Sequence, residues 1–110
     1  MEKSIEKGEK FVAAESVSYS TQSVISRQVL KNEKGTITLF AFDKGESLSE
    51  HITPFDALVL LLDGKTEITI GGNPNVLQTG DAIIMPANVP HALKAIERFK
   101  MMLVMIRDSE

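Results

Sequence analysis

The sequence contains two histidines, His51 and His91, and no cysteine. An imidazole nitrogen can bind a transition metal, donate or accept a hydrogen bond, and transfer a proton near neutral pH. Because there are no thiolates, a metal site in this chain has to rest on imidazoles, carboxylates or weaker ligands. The two histidines are therefore the first candidates for a binding site.

Each histidine lies in a run with characteristic spacing. The first run, Gly45 to Gly64, reads GESLSEHITPFDALVLLLDG. It resembles the first conserved motif of the cupins, which is Gly, five residues, His-x-His, three or four residues, Glu, six residues and Gly. The second run, Gly80 to Ala95, reads GDAIIMPANVPHALKA. It resembles their second motif, which is Gly, five residues, Pro-x-Gly, two residues, His, three residues and Asn. The chain is thus similar to the small single-domain cupins of the cupin 2 conserved-barrel type.

This resemblance implies a fold and a site. The fold is an all-β double-stranded β-helix, or jelly-roll barrel, formed as a single domain over residues 1–110. Cupins that bind metal use two His and one Glu of the first motif and one His of the second. His51 and His91 match two of these ligands, whereas Thr53 and Ala57 replace the other His and the Glu. The resemblance therefore implies a metal site limited to His51 and His91.

Strand alternation predicts which side chains share the barrel interior. Positions 51, 53 and 57 have the same parity, so their side chains project to one side of the sheet. Thr53 is then either a hydroxyl that lines the ligand pocket with the two histidines or a hydrogen-bond partner of a residue that contacts the ligand. Asp56 has the opposite parity, and it could replace the missing carboxylate only if a β-bulge or a bend at Pro54 turned it inward.

Three positions of the second run bear on the site or its loop. Met85 could add a thioether ligand, although methionine is a soft ligand and a common core residue. Asn88 replaces the glycine of the motif and tolerates the positive φ that a turn there requires. Ala95 replaces the final Asn, and we expect this change to affect the fold little.

Short strands and turns account for the rest of the chain. The Asp63-Gly64 pair predicts a hairpin turn, and residues 1–10 are expected to be irregular. Short strands with a Gly or Pro turn after almost every one predict an all-β sandwich or barrel. The predicted strands are Thr36–Asp43, Ala57–Leu62, Lys65–Ile70, Ala82–Met85, His91–Ile96 and Phe99–Ile106, with one or two more between Phe11 and Lys31.

Composition excludes several classes of partner. The chain of 110 residues has a net charge of −3 and no Lys/Arg cluster, so we expect no nucleic-acid partner. No apolar run approaches the roughly 20 residues of a membrane span, and the N-terminus lacks the apolar stretch of a signal peptide. We therefore expect a cytoplasmic protein that does not bind membranes.

Three functional hypotheses follow from the histidines. The first is a protein that binds a small molecule in the barrel interior near His51, Thr53 and His91, without a metal. The second is a metal-dependent enzyme similar to cupin dioxygenases or isomerases, in which His51 and His91 hold Zn, Fe, Mn, Ni or Cu and water or substrate completes the coordination. The third is a storage or structural barrel.

Two strands predict a homodimer because both of their faces are apolar. In Ala57–Leu62 the inward and the outward positions are both apolar. In Phe99–Ile106 the apolar residues also lie on both faces, with Phe99, Met101, Leu103 and Met105 on one and Met102, Val104 and Ile106 on the other. An antiparallel sheet with one solvent-exposed face should instead alternate polar and apolar residues. The segment Phe11–Leu30 could cover part of the outer face, and we expect a second subunit to cover the remainder.

Overall fold

The computed structural model describes residues 3–107, which fold as an almost entirely β structure. It contains one short 3₁₀ turn, Ala13–Glu15, and none of these residues forms a helix long and apolar enough to cross a membrane. Residues 3–10 form no helix or strand, while Met1 and Glu2 of the predicted irregular segment lie outside the described range. The strands are β1 (Val24–Asn32), β2 (Gly35–Phe42), β3 (Ser47–His51), β4 (Phe55–Ile70), β5 (Asn73–Gln78), β6 (Ala82–Met85) and β7 (His91–Arg107).

Two long strands, β4 and β7, each contribute to two antiparallel sheets. The N-terminal half of β4 and the C-terminal half of β7 form one sheet, in the order β1-β2-β7-β4-β6. The remaining halves form the other sheet, in the order β3-β7-β4-β5. This architecture confirms the predicted jelly roll.

A bend at Gly64 allows β4 to serve both sheets, and the predicted Asp63-Gly64 hairpin is wrong. The β4–β7 register shifts on both sides of Gly64, whose φ is +90°. Between the pairs Gly64–Phe99 and Thr66–Ala95, three residues of β7 oppose one residue of β4. The Asp-Gly pair therefore marks a β-bulge, where glycine supplies the positive φ, instead of a chain reversal.

The same bulge explains why a second prediction from the sequence is wrong. The segments His91–Ile96 and Phe99–Ile106 were expected to be separate strands, but they form the single strand β7. Glu97 and Arg98, which interrupt the apolar pattern, lie in the bulged part that faces the bend of β4. Glu97 and Arg98 therefore mark a bend within one strand and not a break between two strands.

One main core fills the space between the two sheets. Phe42 and Phe99 stack at its centre with their ring centroids 4.5 Å apart. Ala57, Val59 and Leu61 are buried, which confirms their predicted inward orientation. Both sheets contribute the remaining buried residues, namely Ile68, Leu77, Met85, Leu93, Ala95 and Met101.

The N-terminal segment packs on the outer face of the five-stranded sheet. Val17 is buried there against Leu39 and Ala41 of β2, so this segment covers part of the outer face, as expected. Leu62 packs against this second cluster, but Leu58 remains exposed. Within this chain, the outer face of Ala57–Leu62 is therefore covered only near its C-terminal end.

We expect Gly64→Ala to lower the free energy of unfolding by at least about 3 kcal/mol, because the substitution combines a strained φ with a steric clash. An added Cβ would lie 1.9 Å from the Arg98 carbonyl oxygen. Gly80→Ala is the matched control, because Gly80 has a φ of +93° and no atom within 4 Å of an added Cβ. We expect this control to lose only about 1–2 kcal/mol. Urea denaturation of both variants measures the difference, and equal losses would contradict a close backbone approach at the bend.

Candidate functional site

Strand pairing brings the two histidines together although 40 positions separate them. His51 is the last residue of β3 and His91 is the first residue of β7. The antiparallel register of β3 and β7 places these two residues directly opposite each other. Residues opposite each other in an antiparallel pair have neighbouring side chains on the same face.

The imidazole rings meet edge to face at the edge of the barrel interior. Their Nε2 atoms lie 3.1 Å apart, and the ring planes cross at 71° with centroids 4.3 Å apart. His91 is 3% exposed, whereas His51 is exposed. The pair therefore connects the interior of the barrel with solvent.

Backbone carbonyls two residues upstream orient both rings. The Nδ1 atom of His51 lies 2.8 Å from the Ser49 carbonyl oxygen, and the Nδ1 atom of His91 lies 3.3 Å from that of Val89. Because a carbonyl oxygen only accepts, Nδ1 of His51 carries the proton and its Nε2 presents a lone pair. A neutral His91 has a single N–H, so in the metal-free protein it donates either its Nε2–H to this lone pair or its Nδ1–H to the Val89 carbonyl oxygen, but not both.

Burial determines the electrostatics of His91. Loss of solvation lowers the pKa of His91, and the nearby charge of His51 lowers it further. The hydrogen bond with the Val89 carbonyl acts in the opposite direction, but its effect is smaller. The neutral imidazole, which is the form that binds metals, is therefore favoured at His91.

A cavity of about 40 Å³ lies beneath the histidine pair. This volume can hold a water molecule or an ion but not a drug-sized ligand, for which pockets are usually about 300–1,000 Å³. Thr53 lines the cavity, and its hydroxyl lies 3.4 Å from the backbone N and O of Phe55. The other lining residues are apolar, namely Leu48, Ala57, Met85, Leu93, Met101, Leu103 and Met105.

Asp56 is not part of this site, so the inward turn that would replace the missing carboxylate does not occur. Its side chain is exposed, and Oδ1 accepts a hydrogen bond of 2.9 Å from the backbone N–H of Ala87. Asp56 thereby fixes the loop between β6 and β7. Strand parity predicts this outward orientation correctly.

The loop before His91 is also held by backbone contacts with the first motif. Asn88 adopts a positive φ of 65°, as its replacement of the motif glycine predicted. Its N–H donates to the Thr53 carbonyl oxygen over 2.8 Å. This contact joins the chain segment after His51 to the segment before His91.

Sequence reasoning missed the groups that orient the rings. Ser49 and Val89 act through their carbonyl oxygens, so their side chains carry no signal. Apart from Ala57 and Met85, it also did not identify the residues of the apolar cavity wall. Within residues 3–107, no three His, Cys, Asp or Glu side chains come close enough to form a metal site.

We expect NMR titration of the metal-free protein to give His91 a pKa below the ordinary value of about 6.5. The unfolded chain then takes up this proton before the folded protein does. The contribution of His91 should therefore reduce stability as the pH falls from about 6.5 to the folded-state pKa. In His51→Asn the pKa of His91 should rise but stay below the ordinary value, because burial remains. A pKa of His91 at or above 6.5 in the folded protein would contradict this account.

Known proteins share both the sequence pattern and the fold of this chain. A family model described as a cupin domain matches residues 38–107. A conserved protein of unknown function from Streptococcus pyogenes is 35% identical, with 96% of this chain and 93% of that chain covered and a TM-score of 0.90. A cupin superfamily protein from Desulfitobacterium hafniense is 29% identical, with 98% and 99% covered and a TM-score of 0.89.

A third structure shows the same domain within a longer chain. A cupin 2 conserved barrel domain protein from Leptotrichia buccalis is 37% identical over 86% of this chain, with a TM-score of 0.83. This chain spans 46% of that protein's length. No functionally curated protein matches the sequence. The family match over more than half of the chain and the similar structures establish that this chain belongs to the cupin family.

Proposed function

We propose that the protein binds a small molecule at the mouth of the barrel, where the Nε2 atoms of His51 and His91 contact the ligand. The observation that supports this proposal is the convergence of the two Nε2 atoms, 3.1 Å apart, above the cavity. One ring is buried and the other is exposed, so a ligand can approach from solvent.

The hydrogen-bonding capacity of the pair indicates the kind of group that binds. His51 offers an acceptor at Nε2 because its Nδ1–H is bound to Ser49. A neutral His91 offers a donor at Nε2 in the tautomer that gives up the hydrogen bond from Nδ1 to Val89. A hydroxyl group, like a water molecule, accepts one hydrogen bond while donating another. A ligand hydroxyl that replaces the direct contact between the two Nε2 atoms would therefore bond to both nitrogens, with Thr53 as a neighbouring polar group.

The size of the cavity limits what can enter. A volume of about 40 Å³ accommodates a single small group, so the body of the ligand remains at the mouth. The walls below the pair are apolar, so a polar group that enters loses its water and has to form its hydrogen bonds with the two histidines and Thr53. The proposed ligand is a small polar molecule that inserts one group.

A second candidate function is the binding of a divalent transition metal by the same pair. Two nitrogen ligands at about 2.0–2.1 Å from one ion are roughly 2.9–3.4 Å apart at octahedral or tetrahedral angles. The observed Nε2–Nε2 distance of 3.1 Å falls in this range. The residues present therefore fit two positions around Zn, Fe, Mn, Ni or Cu.

The metal alternative would connect this protein with cupin dioxygenases and isomerases. His51 and His91 would hold the ion, and Met85 and Thr53 lie in the same cavity wall. A bound metal would supply Lewis-acid or redox chemistry to a molecule at the open positions. With two strong protein ligands, the ion should bind more weakly than in a site with four.

We expect isothermal titration calorimetry of tag-free, chelator-treated protein to distinguish the two candidates. If metal binds, His51→Ala and His91→Ala should each weaken binding by roughly a hundredfold or more, because each removes one of two strong ligands. Thr53→Val is the control, because it preserves both imidazoles. Stoichiometric metal binding in either alanine variant would contradict the proposed ligands.

The metal-free proposal has its own readout. A library of small hydroxyl-bearing molecules should raise the melting temperature of chelator-treated protein, and both alanine variants should abolish the effect. A shift that occurs only after metal is added favours the second candidate. If neither metals nor small molecules bind, both candidates are wrong.

A further inference from the structure

Two methionines flank the position where the cupin motif has its glutamate. Ala57 occupies that position on β4, and the register pairs it with Met85 on β6 at one side and with Met105 on β7 at the other. Residues directly opposite each other on neighbouring strands point to the same face of the sheet. Ala57 belongs to the main core, so both methionines point into the barrel with it. We call Met85 and Met105 the methionine pair.

The methionine pair faces the histidine pair across the barrel interior. The histidines belong to the four-stranded sheet and the methionines to the five-stranded sheet. All four side chains line the same cavity of about 40 Å³. Sheets that pack face to face lie about 10 Å apart, so side chains from their inner faces meet. Two imidazoles and two thioether side chains therefore surround one small space.

The replacement of glutamate by alanine leaves room for the thioethers. The Cα atoms of Met85 and Met105 are two strand spacings apart, or about 10 Å, with only the Ala57 methyl group between the two side chains. A methionine side chain has three rotatable bonds and adapts to irregular gaps. Both sulfurs can therefore reach a point above Ala57, which the carboxylate of the motif would otherwise occupy.

The cavity has no negative charge that could neutralise a divalent ion. Apart from the two histidines and Thr53, its lining is apolar, and the Asp56 carboxylate is bonded to the Ala87 N–H outside it. The cost of moving an ion out of water rises with the square of its charge, so a monovalent ion costs roughly a quarter as much as a divalent ion of similar size. Four neutral ligands in an apolar wall therefore favour a monovalent ion.

The chemistry of the ligands indicates which ion this is. Thioethers are soft ligands that suit Cu(I), and imidazole also suits copper, whereas hard ions such as Mn²⁺ prefer carboxylate oxygens and water. Cu(I) is monovalent and forms complexes with few ligands and no bound water. A cavity of about 40 Å³ has little space for a hydration shell, so it suits such an ion.

We infer that the protein binds one Cu(I) ion between the histidine pair and the methionine pair, through two Nε2 atoms and two thioether sulfurs. This inference rests on the metal-binding candidate function above and specifies its ion and its two further ligands. Met85 and His91 are each 3% exposed, so the ion is held away from solvent. Met101 also lines the cavity, but it lies about 13 Å from Met105 along β7, towards the bend, and forms the floor of the site.

Anaerobic titration with Cu(I), buffered by the chelator bicinchoninate, tests the ligands in tag-free, chelator-treated protein. We expect Met85→Leu and Met105→Leu each to weaken Cu(I) binding at least roughly tenfold, because the loss of even an indirect partner of a metal costs that much. Leucine conserves the volume of methionine, so the histidine pair is retained and Zn²⁺ binding should stay unchanged. Met102→Leu is the matched control, because Met102 lies on the same strand but packs in the outer cluster with Leu39, and it should bind Cu(I) like the unmodified protein.

NMR of the methionine methyl groups gives a direct readout of each sulfur. The chain has five methionines, and Ag(I) is a redox-inert probe with the charge and softness of Cu(I). In protein labelled with carbon-13 at these methyl groups, Ag(I) should shift the signals of Met85 and Met105 and leave that of Met102 in place. Unchanged signals of Met85 and Met105 in the presence of bound Ag(I) would contradict the proposed ligands.

The possible results separate this inference from the function on which it rests. Equal Cu(I) affinity in the unmodified protein and in both leucine variants, with Zn²⁺ binding lost in His51→Ala, would overturn the methionine ligands and leave metal binding by the histidine pair intact. Cu(I) binding that survives His51→Ala would overturn the position of the site between the two pairs. If neither Cu(I) nor Zn²⁺ binds, the metal-binding function and this inference are both wrong, and the melting-temperature measurements still test the small-molecule proposal.

Discussion

The bend that β4 and β7 share is the constraint on which the rest of the structure depends. At Gly64 the backbone adopts a φ that other residues avoid and approaches the Arg98 carbonyl so closely that no Cβ would fit. The bend directs one half of each long strand to the five-stranded sheet and the other half to the four-stranded sheet. The main core between the sheets and the position of His91 at the start of β7 both follow from this division.

Different structural features position the two histidines of the site. His91 is buried because it begins a long strand within the barrel, whereas His51 ends a short strand at the sheet edge. A backbone carbonyl oxygen lies within hydrogen-bond distance of Nδ1 in each ring, so their convergence does not require a carboxylate partner. Two nitrogens at this distance can share a proton, a hydroxyl group or a metal ion.

Much of the fold and the identity of the two histidines could be predicted from the sequence, because strand periodicity and motif spacing are properties of residue type. Parity correctly placed Ala57, Val59 and Leu61 inward and Asp56 outward. The Asp63-Gly64 pair was misread because a bulge and a hairpin both favour glycine at positive φ. The roles of Ser49 and Val89 could not be predicted, because a backbone carbonyl has no residue-specific signature. The volume of the cavity depends on how distant side chains pack together, which no local pattern encodes.

The difference in length between β3 and β7 makes the two halves of the histidine pair unequal in local stability. β3 has five residues and pairs only with β7, whereas β7 has 17 residues and pairs with three strands. Edge segments with few contacts open by local unfolding at low free energy, while central strands open only when the whole domain unfolds. Amide hydrogens near His51 should therefore exchange with solvent faster than those of central β7. His51 thus lies in a segment of low local stability and His91 in one of high local stability. A ligand that orders β3 binds more weakly than it would to an ordered site, because ordering the strand costs free energy.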